Sequence, residues 1–560
     1  MRLRLSVSPA IGAMLLLSLL SVVAMPISVS AQEVTDARLV RAADEPQNWL
    51  HYSGGYSGQR YSPLRQIDAS NVRNLEIKWM LQDQVFGSWE SSPLVVDGVM
   101  YLTQRPNDVM AVDARTGRIF WIYKYASATD YKVCCGANNR GLAIKGHTLF
   151  MGTLDAHLLA LDARTGRVLW NVGVADRSLG YSISMAPLVV KDTVIVGMGG
   201  GEYGIRGFIA AYNVSTGKET WRFSTIPAPG EPGSDTWSGD AWKSGGGSLW
   251  VTGTYDPALN LTYWGVGNPG PDFNPAQRPG DNLYTNSVVA LDADTGALKW
   301  HFQFTPNDAY DWDAIQVPVL ADGSFRGTPT KMLMAANRNG FFYVLDRVTG
   351  KFLTGRPFVK VNWASGLDAN GRPIATPQPA GSPTFPGQQG GTNWWSPSYS
   401  PRTGLFYVAA WEDVSGVFTP QPVEYKPGGN FMGGNFRATR PTPESAVAPN
   451  IGRPPINTWT NAQSHGVVLA IDPNTGDRKW AYPMYDLTES GIMTTASDLL
   501  FTGGRDGYFQ ALDARTGALL WKSNLGSAQI RSQAMTYMVD GKQFVSIISG
   551  NVLITYGLRD

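Results

Sequence analysis

Short apolar runs broken by tight turns recur along most of this chain. Residues 94–101 read Leu-Val-Val-Asp-Gly-Val-Met-Tyr, and residues 188–195 read Leu-Val-Val-Lys-Asp-Thr-Val-Ile. Runs of this length that are rich in β-branched residues and bounded by Gly or Asp are typical of β-strands joined by turns. The pattern therefore predicts an all-β chain built from many short strands.

One seven-residue phrase, typified by Ala-Leu-Asp-Ala-Arg-Thr-Gly, is repeated along the chain. The copies span residues 111–117, 160–166, 211–217, 290–296, 344–350, 470–476 and 511–517. In all copies but the fifth, a Trp follows four residues after the Gly, at Trp121, Trp170, Trp221, Trp300, Trp480 and Trp521. Each copy predicts a strand, a turn with Asp at its start and Gly in the left-handed conformation, and a returning strand. The Trp ring at its end is suited to packing between neighbouring sheets.

The spacing of the repeats predicts the architecture. Trp121, Trp170 and Trp221 are separated by about fifty residues, the size of a propeller blade. With Trp79 at the end of an earlier strand, about eight blades fit between residues 45 and 560. A degenerate eighth copy at residues 400–404 fills a long gap in this scheme. We therefore predict an eight-bladed β-propeller with Trp-containing repeats, forming a single domain over residues 32–560.

The first 31 residues have the three regions of a secretory signal. Arg2 and Arg4 precede an apolar run at residues 11–25, and Val29-Ser30-Ala31 precedes Gln32. We therefore expect a signal peptide over residues 1–31 and a mature protein in the periplasm. No later segment approaches the 18 or more continuous apolar residues of a membrane helix, so no membrane span is expected.

Composition and motifs exclude several partners. With 46 basic and 45 acidic residues the formal charge is +1, which argues against nucleic-acid binding. No Cys-x-x-Cys-His occurs in the sequence, so any haem must belong to a separate protein.

Cys134 and Cys135 are the only cysteines, and they are adjacent. Consecutive Cα atoms lie about 3.8 Å apart, whereas ordinary disulfides prefer roughly 4.4–6.8 Å. A bridge between these two residues would be a strained ring. Two reduced thiols are the alternative.

The Trp-bearing repeat, the paired cysteines followed by Asn139-Arg140-Gly141, and the loop sequences named below resemble the pyrroloquinoline quinone (PQQ)-dependent alcohol dehydrogenases. The resemblance implies that Cys134 and Cys135 form a disulfide against one face of PQQ. It implies that Trp250, in Gly245-Gly-Gly-Ser-Leu-Trp250, stacks on the other face. A core Trp packed between blades is the alternative for Trp250. The other cofactor contacts implied are Glu90, Arg140, Ser184, Ser248, Asn393 and, beside the quinone oxygens, the cation Arg338.

The same resemblance implies a metal site of oxygen ligands, which a metal that polarises a carbonyl requires. Its residues are Glu202, Asn268, Asp311 and Asp313, and Asp311 matches the catalytic base. Asp313 is a second carboxylate where lanthanide enzymes of the family carry Asp and calcium enzymes a smaller or neutral residue. Because a trivalent ion gains more from an additional negative charge, we expect a lanthanide in preference to calcium. The alternative is that Asp313 merely accepts a hydrogen bond.

The implied function is oxidation of a primary alcohol to an aldehyde, with electrons passing to a separate soluble cytochrome c. Glu489 stands where methanol enzymes have a Trp, and residues 550–556 lack their second Trp, so an alcohol larger than methanol is expected. Three further hypotheses stay open: a sugar, polyol or polymeric alcohol as substrate, a non-catalytic propeller scaffold, and a homodimer.

Overall fold

The computed structural model describes residues 32–559 apart from residues 86, 88, 440–465, 485 and 527–528. The predicted signal peptide lies outside the described residues. Helices within this part of the chain are short. They are the α-helix α1 (Asp36–Val40) and the 3₁₀ helices Ala42–Asp44, Val72–Asn74, Arg177–Leu179, Gly201–Tyr203, Ser234–Thr236, Ala241–Ser244 and Pro275–Gln277. None of the described helices has the length and apolar character needed to cross a membrane.

Strands β1 (Tyr61–Ser62) and β2 (Leu75–Gln82) precede the first blade. Blade 1 contains β3 (Leu94–Val96), β4 (Val99–Gln104), β5 (Asp108–Asp113) and β6 (Ile119–Tyr123). Blade 2 contains β7 (Ala143–Lys145), β8 (Thr148–Gly152), β9 (His157–Asp162) and β10 (Val168–Gly173). Blade 3 contains β11 (Leu188–Val190), β12 (Thr193–Gly197), β13 (Phe208–Asn213) and β14 (Glu219–Ser224). Blade 4 contains β15 (Thr254–Asp256), β16 (Leu261–Gly265), β17 (Ser287–Asp292) and β18 (Leu298–Gln303).

Blade 5 contains β19 (Val319–Phe325), β20 (Thr328–Ala336), β21 (Phe341–Asp346) and β22 (Phe352–Pro357), and a small hairpin of β23 (Ala364–Leu367) and β24 (Pro373–Ala375) follows it. Blade 6 contains β25 (Ser398–Ser400), β26 (Leu405–Trp411), β29 (Gly466–Ile471) and β30 (Arg478–Pro483), with the hairpin β27 (Ser415–Pro420) and β28 (Gly434–Thr439) inserted. Blade 7 contains β31 (Met493–Thr495), β32 (Leu499–Gly503), β33 (Tyr508–Asp513) and β34 (Leu519–Asn524). Blade 8 begins with β35 (Met535–Val539), β36 (Lys542–Ser549) and β37 (Val552–Leu558).

The fourth strand of blade 8 comes from the other end of the chain. β2 pairs antiparallel with β37, with Leu75 opposite Leu558 and Gln82 opposite Val552. β1 also pairs with β31, as a fifth strand of blade 7. These two pairings close the ring, and the predicted eight-bladed propeller is confirmed.

The core lies between the blades. All six residues of the inner strand β4 are buried, whereas the outer strand β10 exposes most of its residues. An inner strand packs against a neighbouring blade on both of its faces, so it is apolar throughout, as in sheets that are covered on two sides. This explains why the inner strands appear in the sequence as unbroken apolar runs.

Five of the six Trp residues of the repeat, all but Trp521, pack against the turn Gly of the next blade. The Trp121 ring lies on Gly166, where an added Cβ would approach the ring to 2.6 Å, and its indole N–H donates to the Ala163 carbonyl at 3.2 Å. The same contact joins Trp79 to Gly117, Trp170 to Gly217, Trp221 to Gly296, Trp300 to Gly350 and Trp480 to Gly517. The predicted packing of these rings between sheets is therefore observed, and the turn Gly serves both the left-handed backbone and the ring contact.

The degenerate repeat at residues 400–404 was interpreted wrongly from the sequence. In the structure it turns between β25 and β26, whereas the seven full copies turn between the third and fourth strands of their blades. Blade 8 needs no such turn, because its third and fourth strands are β37 and β2 from opposite ends of the chain.

His51 supplies a pH-dependent element of stability. It is buried before β1, its Nε2 lies 2.9 Å from the Leu39 carbonyl, and its ring packs 4.1 Å from the Tyr56 ring. Burial lowers the pKa of His51 to about 4. The unfolded chain, with an ordinary pKa of about 6.5, binds a proton between these values that the folded protein does not bind. The contribution of His51 to the free energy of unfolding is therefore fully present above about pH 6.5 and is lost as the pH falls towards 4.

We expect the free energy of unfolding to fall between pH 7 and pH 5 by about 2 kcal/mol more in the wild type than in His51→Gln. Urea titrations at the two pH values measure this difference. His147→Gln, at a less buried site, is the control and should retain the wild-type pH dependence. Equal pH dependence in the wild type and His51→Gln would contradict the assignment.

Candidate active site

All the predicted site residues lie in loops at one edge of the ring. In a four-stranded antiparallel blade, the loop between the second and third strands and the loop to the next blade leave from the same edge. Glu202, Asn268 and Arg338 lie in loops of the first kind, after β12, β16 and β20. The other predicted residues lie in loops of the second kind, namely Glu90, Cys134, Cys135, Arg140, Ser184, Ser248, Trp250, Asp311, Asp313 and Asn393. The repeat turns occupy the opposite edge.

These loops enclose a cavity of about 190 Å³. Its wall contains most of the predicted residues: Glu90, Cys134, Cys135, Arg140, Ser184, Glu202, Trp250, Asp311, Asp313, Arg338 and Asn393. Ser248 and Asn268 lie behind the wall. A Cβ at Gly201, next to Glu202, would be 3.4 Å from Ser248 Oγ and 3.8 Å from Asn268 Oδ1.

One side of the cavity is acidic. Asp311 and Asp313 are buried, and Arg338 Nη1 donates to Asp313 Oδ2 at 2.8 Å. Arg338 Nη2 lies 3.7 Å from Asp311 Oδ2, to which the Gln388 amide also donates. Asp313 Oδ1 accepts the backbone N–H of Asn268 at 2.9 Å, which connects the two predicted metal loops.

The acidic groups outnumber the cation among them. Burial raises the pKa of Asp311, Asp313 and Glu202, and Arg338 opposes this effect. When several buried carboxyl groups share one guanidinium, the ionisation of all of them at the same time is unfavourable. A bound cation would offset the repulsion among the ionised carboxylates. The donor set of carboxylate and amide oxygens therefore fits a hard metal ion.

The backbone of Asp311 adopts φ +62°, in the left-handed region. Few residues other than Gly occupy this region, and Asn and Asp tolerate it best. Such conformations concentrate at functional sites, where the surrounding structure maintains them. The turn directs Asp311 into the cavity beside Arg338.

Arg140 lies in the cavity wall between two aromatic rings. Its guanidinium lies 4.9 Å from the Trp250 ring centre and 4.7 Å from that of Trp394. It forms an ion pair with Glu90 at 2.8 Å and donates to Ser184 Oγ at 3.1 Å.

Residues 49–365 and 364–545 match the family model described as PQQ glucose/ethanol/alcohol dehydrogenase, β-propeller domain. The two matches together span well over half of the sequence. The chain belongs to the PQQ-dependent alcohol dehydrogenase family. It is therefore an oxidoreductase, which decides against the scaffold hypothesis.

Individual relatives agree with this membership. The chain is 39% identical to the quinoprotein alcohol dehydrogenase PedH of Pseudomonas putida, over 92% of this chain and 88% of that protein. It is 38% identical to the quinohemoprotein alcohol dehydrogenase ADH IIB of Pseudomonas putida, covering 94% and 77% of the two chains. Among solved structures, a europium-containing methanol dehydrogenase superimposes with a TM-score of 0.86 at 32% identity, covering 93% of this chain and all of that one.

The cavity fits the cofactor after which the family is named. Trp250 offers a flat apolar ring, and the buried donors Arg140 Nε and Arg338 Nε find no hydrogen-bond partner within the described ranges of the chain. Unpaired buried donors are costly, so they favour an acceptor-rich ligand such as PQQ. Trp250 lines the cavity and also packs against the buried cluster that contains Trp394 and Trp395, so its stacking role stays a prediction.

Cys134 and Cys135 lie at the cavity with their sulfur atoms unbonded. The Sγ atoms and a carboxylate oxygen of Glu202 lie within 4.8 Å of one another. The hydrogen bond with the neighbouring Cys135 thiol raises the pKa of Cys134. The disulfide that the family resemblance implies therefore stays a prediction.

Several lining residues were not identified from the sequence. They are Gln388, Gln389, Trp394, Trp395 and Arg531. The glycine-rich segment 387–391 before Asn393 was a signal for the first two. Arg531 pairs with Glu489 across the mouth at 2.6 Å, a contact for which the sequence contains no local signal.

Proposed function

We propose that this chain oxidises a primary alcohol to an aldehyde, with PQQ as cofactor and one metal ion. Asp311 is the base, and Arg338 stabilises charge beside it. The observation that carries this proposal is the placement of Asp311 in the cavity wall, held by Arg338 and Gln388 and next to the further oxygen ligands Glu202 and Asp313.

The residues around the cavity divide into two groups by role. Glu90, Cys134, Cys135, Arg140, Ser184, Ser248, Trp250, Arg338 and Asn393 would hold the cofactor, and Glu202, Asn268, Asp311 and Asp313 would hold the metal. When bound, PQQ supplies an ortho-quinone that accepts two electrons from the alcohol. The protein contributes position and charge, with the Trp250 indole as a rigid plane and Arg140 as a paired cation.

Asp311 removes the proton of the substrate hydroxyl. Burial raises the pKa of its carboxyl group, and Arg338 keeps the ionised form accessible by the opposite effect. A base works best when its pKa lies near the working pH, so these opposed effects suit the task. Gln388 donates to Asp311 Oδ2 and fixes the carboxylate plane.

We propose a lanthanide as the metal, with calcium as the alternative. Asp313 adds negative charge to the ligand set, and a solved relative contains europium. Both oxygens of Asp313 also have protein partners, Asn268 N–H and Arg338. A hydrogen-bonding role for Asp313 without metal contact is therefore the alternative to be tested.

The test is dye-linked ethanol oxidation by apoprotein given PQQ with either lanthanum or calcium. We expect turnover with lanthanum to exceed that with calcium by about tenfold or more, because the additional carboxylate favours the trivalent ion. Asp313→Asn removes one charge at nearly constant shape and should reduce this ratio. Equal turnover with both ions in the wild type would assign Asp313 to hydrogen bonding, and no turnover with either would contradict the proposal.

A second candidate substrate class is supported by the cavity mouth. Arg531 Nε donates to Glu489 Oε2 at 2.6 Å, so charged groups stand where a methanol enzyme would carry an aromatic cap. Polar groups at the mouth suit a sugar or polyol as well as an apolar alcohol. Including glycerol and glucose beside ethanol in the same assay separates the two classes.

The remaining parts of the proposal concern location and electron transfer. We propose a periplasmic enzyme, supported by the signal-like residues 1–31, and a separate cytochrome c as its electron acceptor. The homodimer stays a prediction. Reduction of an added soluble cytochrome c during ethanol turnover tests the acceptor.

A further inference from the structure

A fourth buried carboxyl group lies beside the acidic side of the cavity. Asp272 follows Asn268 by four residues in the loop between β16 and β17, and it is 1% exposed. Neither Oδ1 nor Oδ2 of Asp272 has a hydrogen-bond partner among the described residues. Burying a carboxylate without hydrogen-bond partners is unfavourable. A compensating group is therefore to be expected.

The charged groups around Asp272 are those of the proposed metal site. Its carboxyl group lies close enough to Asp311, Glu202 and Asp313 to interact with them electrostatically, and it adjoins the Asn268 side chain. All four of these residues belong to the proposed ligand set. The Asp272 carboxyl is thus part of the same charge cluster.

The neighbouring buried cation, Arg278, interacts with the charge of Asp272 but forms no hydrogen bond with its carboxyl group. Arg278 is fully buried, and its side chain donates to the backbone carbonyls of Pro271, Asp272 and Asp308 and to Asn282 Oδ1. The guanidinium therefore holds the loop together, while the Asp272 carboxyl oxygens accept no hydrogen bond from the part of the chain that the structure describes. The loop is further fixed by the Phe273 N–H, which donates to the Met432 carbonyl at 2.9 Å.

We propose that Asp272 is a fourth acidic group of the cation site and that its charge selects a trivalent ion over a divalent one. This inference rests on the metal site of the proposed function. Glu202, Asp272, Asp311 and Asp313 carry four negative charges when ionised, and Arg338 carries one positive charge. Ionised carboxylates outnumber the cation in this set, and an excess of negative charge favours an ion of higher positive charge.

Coulomb energy is proportional to the charge of the ion. Removing one negative charge should therefore cost a trivalent ion one and a half times as much binding free energy as it costs a divalent ion. In Asp272→Asn the shape is kept and the charge is lost. If the dissociation constant for Ca²⁺ rises tenfold, that for Tb³⁺ should rise about thirtyfold. A purely structural role would weaken both ions by the same factor.

The experiment measures metal binding without turnover. Apoprotein loaded with PQQ is titrated with Tb³⁺, whose luminescence is sensitised by nearby Trp rings, and with Ca²⁺ by calorimetry. A larger loss for Tb³⁺ than for Ca²⁺ in Asp272→Asn supports the proposal. Equal losses, or no change, overturn it. If the wild type binds neither ion, the proposed metal site itself is wrong, which is a distinguishable result.

A matched control is Asp486→Asn. Asp486 is also buried, and its Oδ2 has no hydrogen-bond partner among the described residues, but it does not belong to the acidic cluster around Asp311. This variant should bind both ions as the wild type does. Should Asp272→Asn fail to fold by circular dichroism, Asp272→Glu tests the same point, because it keeps the charge and should keep the preference for Tb³⁺. Loss of that preference in a folded Asp272→Glu would count against the proposal.

Discussion

Asp311→Asn should lower kcat for ethanol by about a thousandfold or more, while PQQ still binds. The amide lacks the basicity to accept the hydroxyl proton, and positioned general bases contribute about 10²–10⁴-fold. Asn is the substitution that best tolerates the left-handed backbone at this position, φ +62°. The loss should therefore come from chemistry and not from refolding of the loop. Steady-state oxidation with saturating metal, together with quenching of Trp fluorescence by added PQQ, measures both quantities.

Asp308→Asn is the control within the same loop. Asp308 is buried, and its carboxylate accepts the backbone N–H groups of Tyr310 and Trp312, so it supports the loop without facing the cavity. Its substitution should reduce turnover much less than that of Asp311. Turnover within tenfold of the wild type in Asp311→Asn would show that another group accepts the proton.

Trp221→Ala should destabilise the propeller by about 3–5 kcal/mol, the usual cost of removing a buried aromatic side chain. Trp221 is 7% exposed, its ring lies on Gly296 of the next blade, and its N–H donates to the Ala293 carbonyl at 3.1 Å. Removal loses the ring contact and leaves that carbonyl without its partner. In a chain of this length, such a loss lowers the melting temperature by about 4 °C.

Trp242→Ala is the matched control for this measurement. Trp242 is partly exposed in a 3₁₀ helix, where its ring contacts the guanidinium of Arg206. Losing that contact should cost about 1 kcal/mol or less. Thermal unfolding measures both losses. Equal destabilisation by the two substitutions would show that the contact of Trp221 with the next blade contributes no more to stability than an exposed ring does.

The repeat shows which parts of the fold are predictable from local sequence. In the copy at residues 111–117, Asp113 Oδ1 accepts the backbone N–H groups of Arg115 and Thr116, and Gly117 adopts φ +74°. The turn, its capping side chain and the Trp four residues later lie within one short segment. The blade hairpin is therefore visible in the sequence, and the number of blades follows from the spacing.

Pairings between distant segments were not predictable in the same way. β2 joins β37 across nearly the whole chain, and the copy at residues 400–404 turned out to lie elsewhere in its blade. Such contacts depend on closure of the ring, which local propensities do not encode. The family resemblance identified residues that line the cavity, but it gave no reason to select Asp272 or Arg531.

By itself, the sequence determined the all-β class, the eight blades and the family, because the repeat and the loop motifs are contained in short stretches of chain. The tertiary structure alone decided which side chains share the cavity and that Arg338 pairs with both Asp311 and Asp313. It also decided that the Asp272 carboxyl is buried with no hydrogen bond from the described residues. The reason is physical. Burial and charge balance depend on all the groups within a few ångströms, and here those groups come from loops of different blades.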